Sequence, residues 1–384
     1  MSATKTIYLD YAAATPVDPK VLQTMKPYYT DDFYNPSALY LAAKHVGSDI
    51  QDAREVIAKL LGARPTEVIF TAGGTEADNL AINGIMQQYL DKELVVSAIE
   101  HDAIIEVAKD YNHKIAKVSQ KAEIDTEDLF KKINDNTVLV SIMYANNEVG
   151  TIQPIAKIAQ KIEEIRQNRK KNGIDLPLYF HTDASQAPNY LDIHVSRLGV
   201  DLMTINGGKI YGPKQSGLLF VKSGIVLKPQ IQGGGQERNL RSGTENIPGI
   251  MGLAKALEIS QDKRANETQR LQKLQEFFET QLTDVIQGVI INGSANKLVN
   301  NVHITVPGID NERVIMELDE QGIMAAVGSA CSASNDEPSH VLMAVGLTRA
   351  AAQSSIRFTF GRQTTQKDLE YTVKMLSDIV KRSR

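Results

Sequence analysis

One cysteine, Cys331, stands in a chain of 384 residues. That count excludes a disulfide within the chain and any zinc or iron–sulfur site built from several cysteines of one copy, and no metal site is expected. No apolar run approaches the ~20 residues of a membrane-spanning helix, so no membrane partner is expected. The opening stretch MSATKTIYLDYAAATP has no signal-peptide core and enters a strand-like run at once; the expected address is cytoplasmic. Positive charge is not in excess either. The formal net charge of −4 argues against direct nucleic-acid binding. Internal repeats and low-complexity tracts are missing too. What is present, 42% hydrophobic and 23% charged residues, is the make-up of an ordinary globular chain.

The first two-thirds alternate short apolar runs with helical patterns. EVIFT (67–71), LVVSA (94–98), KIAKVS (114–119), TVLVSIMY (137–144), LYFHTD (178–183), DLMTI (201–205) and GLLFV (217–221) read as strands. Asp18 and Pro19 start a helix, and 49–62 is a helix that Gly62 stops. Further helices are expected near 75–90, 102–111, 125–134 and 154–171. The segment QNRKKNGIDLP (167–177) reads as a solvated surface insertion. Continuous apolar strands separated by helices predict a mostly parallel sheet covered on both faces. A long helical pattern from Ile250 to about Asp284 leads into a smaller α+β region.

Ligands of parallel sheets bind outside the carboxyl ends of the strands. The strand ends here are rich in polar groups. EVIFT runs into AGGTEADN, whose Gly73, Gly74 and Thr75 open a helix and suit a phosphate. LVVSA leads to His101, TVLVSIMY to Asn147 and Glu148, LYFHT to Asp183 and Gln186, and DLMTI to two glycines and Lys209. Each alone has a structural reading as a cap or polar loop; five at corresponding ends converge on one rim. An anion cradle, a carboxylate and a lysine are what pyridoxal 5′-phosphate requires. Its aldehyde bonds to a lysine amine, its ring nitrogen needs a carboxylate, and its phosphate needs oriented donors.

Cys331 lies in VGSACSASNDEPSH, without strand or helix periodicity. An exposed thiol among small polar residues is an oxidation liability unless it is used.

These motifs together resemble the group I cysteine desulfurases of the NifS/IscS type, which are class V, fold-type I pyridoxal-phosphate enzymes. The resemblance spans nearly the whole chain: YLDYAAATPVDPKV, FTAGGTEADNLAI, SAIEHDAI, NNEVGTIQPI, HTDASQ, GGKIYGPK, GGGQERNLRSGTEN, GSACSASNDEPSHVL and SSIRFTFGRQTT. It implies a mostly parallel seven-stranded sheet in a large domain, 16–255. A small α+β domain, 1–15 with 256–384, would carry the cysteine loop. It also implies roles. Lys209 bonds the cofactor and moves the Cα proton, and His101 stacks on the ring and assists proton transfer. Asp183 pairs with the ring nitrogen, while Asn147 and Gln186 surround the ring hydroxyl. Gly74 and Thr75 hold the phosphate. Thr244 does so from the second subunit of a homodimer. Arg357, with Asn147, binds the substrate carboxylate, and Cys331 is the nucleophile.

The implied reaction takes sulfur from L-cysteine, releases L-alanine and leaves a persulfide on Cys331 for an acceptor, either an iron–sulfur scaffold or a sulfur carrier such as one serving tRNA thiolation. Six extended residues span roughly 20 Å, enough for the loop to carry its cargo out of the pocket. Asn206 and Gly208 depart from the family's Ser and His before the lysine, and GPKQSG lacks a family glycine. The expectation is that the Asn206 amide and backbone N–H groups at Gly208 still hold the phosphate. Two other readings remain: a related enzyme, such as a selenocysteine lyase or class V aminotransferase, and a degenerate relative kept as a binding scaffold.

Overall fold

The computed structural model describes residues 6–328 and 338–383. In chain order its strands are Ile7–Tyr8 (β1), Val68–Thr71 (β2), Glu93–Ser97 (β3), Asn112–Ala116 (β4), Thr137–Ser141 (β5), Tyr179–Asp183 (β6), Leu202–Asn206 (β7), Gly217–Val221 (β8), Ile290–Asn292 (β9), Asn301–Thr305 (β10), Ile323–Met324 (β11) and Ser355–Thr359 (β12). Seven form one sheet in the order β2-β8-β7-β6-β5-β3-β4. The neighbours from β4 to β7 are parallel, and β8 runs against both β7 and β2. The expected mostly parallel seven-stranded sheet is therefore present. Strands β2, β3, β5, β6 and β7 all end on the same rim.

These strands form because their Val, Ile, Leu and Phe side chains are covered on both faces. Val95, Val140, Phe180, Met203 and Leu218 pack into one hydrophobic cluster; Val96, Leu139, Leu202 and Leu219 belong to another on the opposite face. The helix Leu41–Leu61 buries Val46, Ile50, Ala53, Ile57 and Leu61 at helical spacing. It begins eight residues before the expected start, because its first turn carries Leu41 in an exposed position and so breaks the apolar period. It ends at Gly62, where φ is +64° and the His194 ring fills the space a Cβ would need.

The helix Ile247–Val285 has 39 residues and runs roughly 58 Å. Leu253, Ala254 and Leu257 join the cluster under the large sheet. Leu271, Phe278 and Leu282 join a second cluster with Leu9, Ile304, Ile356 and Leu376. There Phe278 stands edge-on to Phe358 and Phe360 at centroid distances of 5.3 and 5.5 Å. This second region holds the antiparallel sheet β12-β10-β9 and the parallel pair β1–β11. The first strand of the chain therefore sits beside late ones.

The charged stretch 167–177 is not simply solvated. The helix Ile155–Lys171 runs through its first half, and Arg169 is only 4% exposed. Its guanidinium donates to the carbonyls of Asn134, Thr137, Leu176 and Pro177, tying the excursion to the edge of β5. A buried cation surrounded by carbonyls looks, in sequence, like any surface arginine.

A buried ion pair fixes the segment that precedes Thr244. Glu237, Arg238 and Asn239 all have left-handed φ values, 45°, 60° and 65°, each costing roughly 1–2 kcal/mol. The Glu237 carboxylate holds them in place. It accepts from Arg54 Nη1 and Nη2 at 2.8 and 2.6 Å and from the Phe70 amide at 2.8 Å. Arg54→Met strands that buried carboxylate. Urea unfolding of the variant is expected to show a loss of about 3–5 kcal/mol, partly recovered when Glu237 is also replaced by leucine.

Candidate active site

The glycine turn after β2 is shaped by contact. Gly73 has φ +147°, a region L side chains rarely adopt. A Cβ on Gly217 of β8 would lie 2.7 Å from the Gly73 Cα. The turn opens the helix Gly74–Met86, whose first backbone N–H groups have no partner within the helix. A Cβ on Gly74 would lie 3.1 Å from Ser185 Oγ and 3.2 Å from Asn206 Nδ2. Gly73, Gly74 and Thr75 line a cavity of about 550 Å³ together with Asn206, Gly208 and Lys209. A cradle that a single methyl group would crowd, floored by helix N–H groups and walled by a lysine, fits a phosphorylated aldehyde.

Lys209 follows β7 in a short 3₁₀ turn, Gly207–Lys209. Asn206 caps it: its Oδ1 accepts from the Gly208 amide at 3.0 Å, which turns Nδ2 toward the glycine turn. Lys209 Nζ donates to the carbonyls of Ala13 at 2.6 Å and Ala12 at 3.0 Å. Gln186 Nε2 donates to the same Ala12 carbonyl at 3.1 Å. The N-terminal segment thus joins the lysine to the turn after β6. Thr15 closes the arrangement, with its amide and hydroxyl donating to the Gly208 carbonyl.

Asp183 ends β6, is 8% exposed and accepts from the Ser185 amide at 2.8 Å. Two further carboxyls lie buried near it, Asp78 and Glu100. Burial first, and then the charge of Asp183, hold Asp78 well above the usual carboxylate range. Burial pushes Glu100 up to about 8, with Asp183 adding to it against the Met143 amide that Glu100 accepts. His181, two residues before Asp183 and so on the same face of the strand, bridges Ser141 Oγ at 2.9 Å and Thr204 Oγ1 at 3.1 Å. Its Nε2 lies 3.7 Å from Asp78. Burial depresses its pKa to about 3.

His101 caps the helix Asp102–Ala108, with Nδ1 accepting from the Ala103 amide at 3.0 Å. In the neutral ring the proton therefore sits on Nε2. Asn147 is half-buried, and its carbonyl accepts from Arg357 Nη1 at 3.0 Å. Arg357 itself is 1% exposed. Its Nη2 already meets a carboxylate, Asp10, at 2.7 Å, and its Nε has no partner among the described residues. Any substrate carboxylate would share this guanidinium with Asp10. Thr244 is exposed on a second cavity of about 240 Å³, which shares Ala72 and Gln215 with the first.

Of the residues picked from sequence, the main cavity gathers Gly74, Thr75, Asn206, Gly208 and Lys209, with Gln186 linked through Ala12 and Asp183 through the turn at Ser185. His101, Asn147, Arg357 and Thr244 do not line it. Cys331 falls outside the described residues. The described residues on either side of its segment meet at Glu148, whose Oε2 accepts from Ser339 Oγ at 2.6 Å and faces Gly328. Sequence reasoning missed Asp10, Asp78, Glu100, Lys214 and the two alanine carbonyls. The carbonyls have no side-chain signature; Asp78 and Glu100 sit beside residues that were chosen, in TEADN and IEH.

The model of the aminotransferase class-V family matches residues 7–372. The cysteine desulfurase IscS of Dictyoglomus turgidum is 39% identical over 386 residues, covering 98% of this chain and 95% of its own. That of Methanosarcina thermophila is 38% identical, over 99% and 93%. Among solved structures, a NifS-like protein superposes with a TM-score of 0.89 at 31% identity, covering 98% of this chain and 100% of its own. SspA in complex with cysteine superposes at 0.78 and 34% identity, over 92% and 99%.

The depressed pKa of His181 sets a pH dependence. The unfolded chain takes up a proton near 6.5 and the native ring only near 3. Stability from this group is full above 6.5 and falls as pH drops toward 3, at up to roughly 1.4 kcal/mol per pH unit. His181→Asn is expected to flatten the stability–pH curve in that window, as read from urea midpoints at successive pH values.

Proposed function

The chain belongs to the class-V aminotransferase family and within it to the pyridoxal 5′-phosphate-dependent cysteine desulfurases, and from that premise we propose that Cys331 receives the sulfur of L-cysteine as a persulfide. The observation that carries this reading is the rim where the Gly73–Thr75 turn faces Lys209, whose ammonium is seated on the Ala12 and Ala13 carbonyls.

Bound pyridoxal 5′-phosphate supplies an aldehyde for amines and a ring that spreads the negative charge left when a Cα proton departs. The chain does the rest. The Gly74 and Thr75 N–H groups and the Asn206 amide would hold the phosphate. Asp183 would accept a hydrogen bond from the ring nitrogen. Its buried neighbours Asp78 and Glu100 are raised by burial and by the charge of Asp183. Lys209 takes the Cα proton and later returns a proton to carbon. His101, whose Nδ1 is occupied by the Ala103 amide, would assist proton transfer through Nε2. Asn147 and Gln186 would surround the ring, and Arg357 would receive the substrate carboxylate beside Asp10. The Cys331 thiolate attacks the substrate sulfur; a sulfur–sulfur bond forms, the carbon–sulfur bond breaks, and alanine leaves.

The working unit in this reading is a homodimer in which Thr244 reaches the partner's phosphate. Its exposure beside the second cavity supports that role, as do the exposed side chains of Phe33, Leu39 and Leu41. The two hydrophobic clusters shared by the long helix support a division into 16–255 and a smaller unit of 1–15 with 256–384. Among the described residues no helix is long and apolar enough to cross a membrane. The enzyme works in the cytoplasm, handing sulfur to an iron–sulfur scaffold or a sulfur carrier.

Mass spectrometry after incubation with L-cysteine is expected to show one added sulfur atom on the Cys331 peptide, with alanine in solution. Cys331→Ala should bring alanine release to background. Undiminished turnover by that variant would instead identify a lyase or aminotransferase that needs no such thiol.

A further inference from the structure

We propose that Lys214 is the positive counter-charge of the cofactor phosphate. The proposal rests on the cofactor reading above and adds a residue to it. A phosphate monoester carries close to two negative charges at neutral pH. Among the described residues lining the main cavity, the cationic side chains are Lys209 and Lys214. Lys209 is committed to the aldehyde end. Gly208 offers no side chain. A Cβ built on it would lie 3.8 Å from Lys214 Cγ and 3.9 Å from its Cα, so the lysine stem lies over the glycine and lines the space beside it. The Lys214 ammonium donates to the Thr15 carbonyl at 2.7 Å, one of the three hydrogen bonds an ammonium can give. That carbonyl belongs to the segment that also seats Lys209, so the two amines are anchored along one wall.

The other charged group on the cavity wall, Glu76, does not oppose this. Its Oε1 pairs with Arg241 Nε at 2.8 Å, and its Oε2 accepts from the Ala72 amide at 3.1 Å. Its charge is met before it reaches the cavity. The cradle alone, with helix N–H groups and the Asn206 amide, provides donors without a full charge. Lys214 provides the charge, and the absence of a side chain at Gly208 leaves it room.

The test is a titration of cofactor-stripped protein with pyridoxal 5′-phosphate and, in parallel, with pyridoxal, which lacks the phosphate. Both are followed by absorbance of the lysine-bound ring. Lys214→Met is expected to weaken binding of the phosphorylated form about ten- to a hundredfold while leaving pyridoxal within about threefold of wild type. Lys214→Arg should restore most of the loss. Lys214→Gln, polar but uncharged, should behave as the methionine variant does and so separates charge from packing. Equal loss for both ligands, or no loss for either, overturns the assignment of Lys214. Wild-type protein that takes neither ligand overturns the cofactor reading instead.

Discussion

An ammonium held by two backbone carbonyls sets the conditions for the rest of this molecule. Ala12 and Ala13 can face Lys209 only if residues 9–15 cross the carboxyl rim of the large sheet, and little in those residues would hold them there alone. The hold comes from the second region. β1 lies along β11, Leu9 is buried with Ile304 and Ile356, and Asp10 is fixed by Arg357. The Ala12 amide donates to Thr359 Oγ1 at 2.9 Å. On the other side Thr15 is tied to Gly208 and to the Tyr211 amide. The smaller region is thus a bracket for a strap whose working parts are two carbonyl oxygens.

The same rim solves an electrostatic problem. Three carboxyls, Asp78, Glu100 and Asp183, are gathered where a low dielectric makes each charge costly. Asp183 ends its strand, and the backbone amide of Ser185 meets it. The other two are held toward their neutral forms by burial and by the charge of Asp183. His181, deeply covered between Ser141 and Thr204, adds hydrogen bonds without adding charge at neutral pH.

The sheet was legible because period and composition state it directly. β5 and β8 are continuous apolar runs with glycines or polar residues after them, and the alternation with helices leaves a parallel arrangement as the simple outcome. Strand-end logic likewise reached Lys209, Asp183 and the glycine turn. What it could not reach lacks a local signature. Backbone carbonyls are identical in every residue. Arg357 and Asp10 are separated by 347 positions, so nothing nearby marks them as partners, and Arg357 read as a free fork for substrate. Gln215 occupies a left-handed conformation, φ 57°, where a glycine would be expected; its sequence neighbours do not show the strain. Arg169 reads as a surface charge and is buried. The environment of Cys331 is not among the described residues, so its reading stays where the sequence put it.

The strap has a consequence for how the molecule comes into being. The ribosome releases Ala12 and Ala13 close to 350 residues before the groups that pin their strap, Arg357 and Thr359. Until then the large sheet can form with its lysine in place and no seat for the amine. Assembly of the pocket therefore waits for β12, and a nascent chain stalled before it would hold most of its core but no competent site for its vitamin.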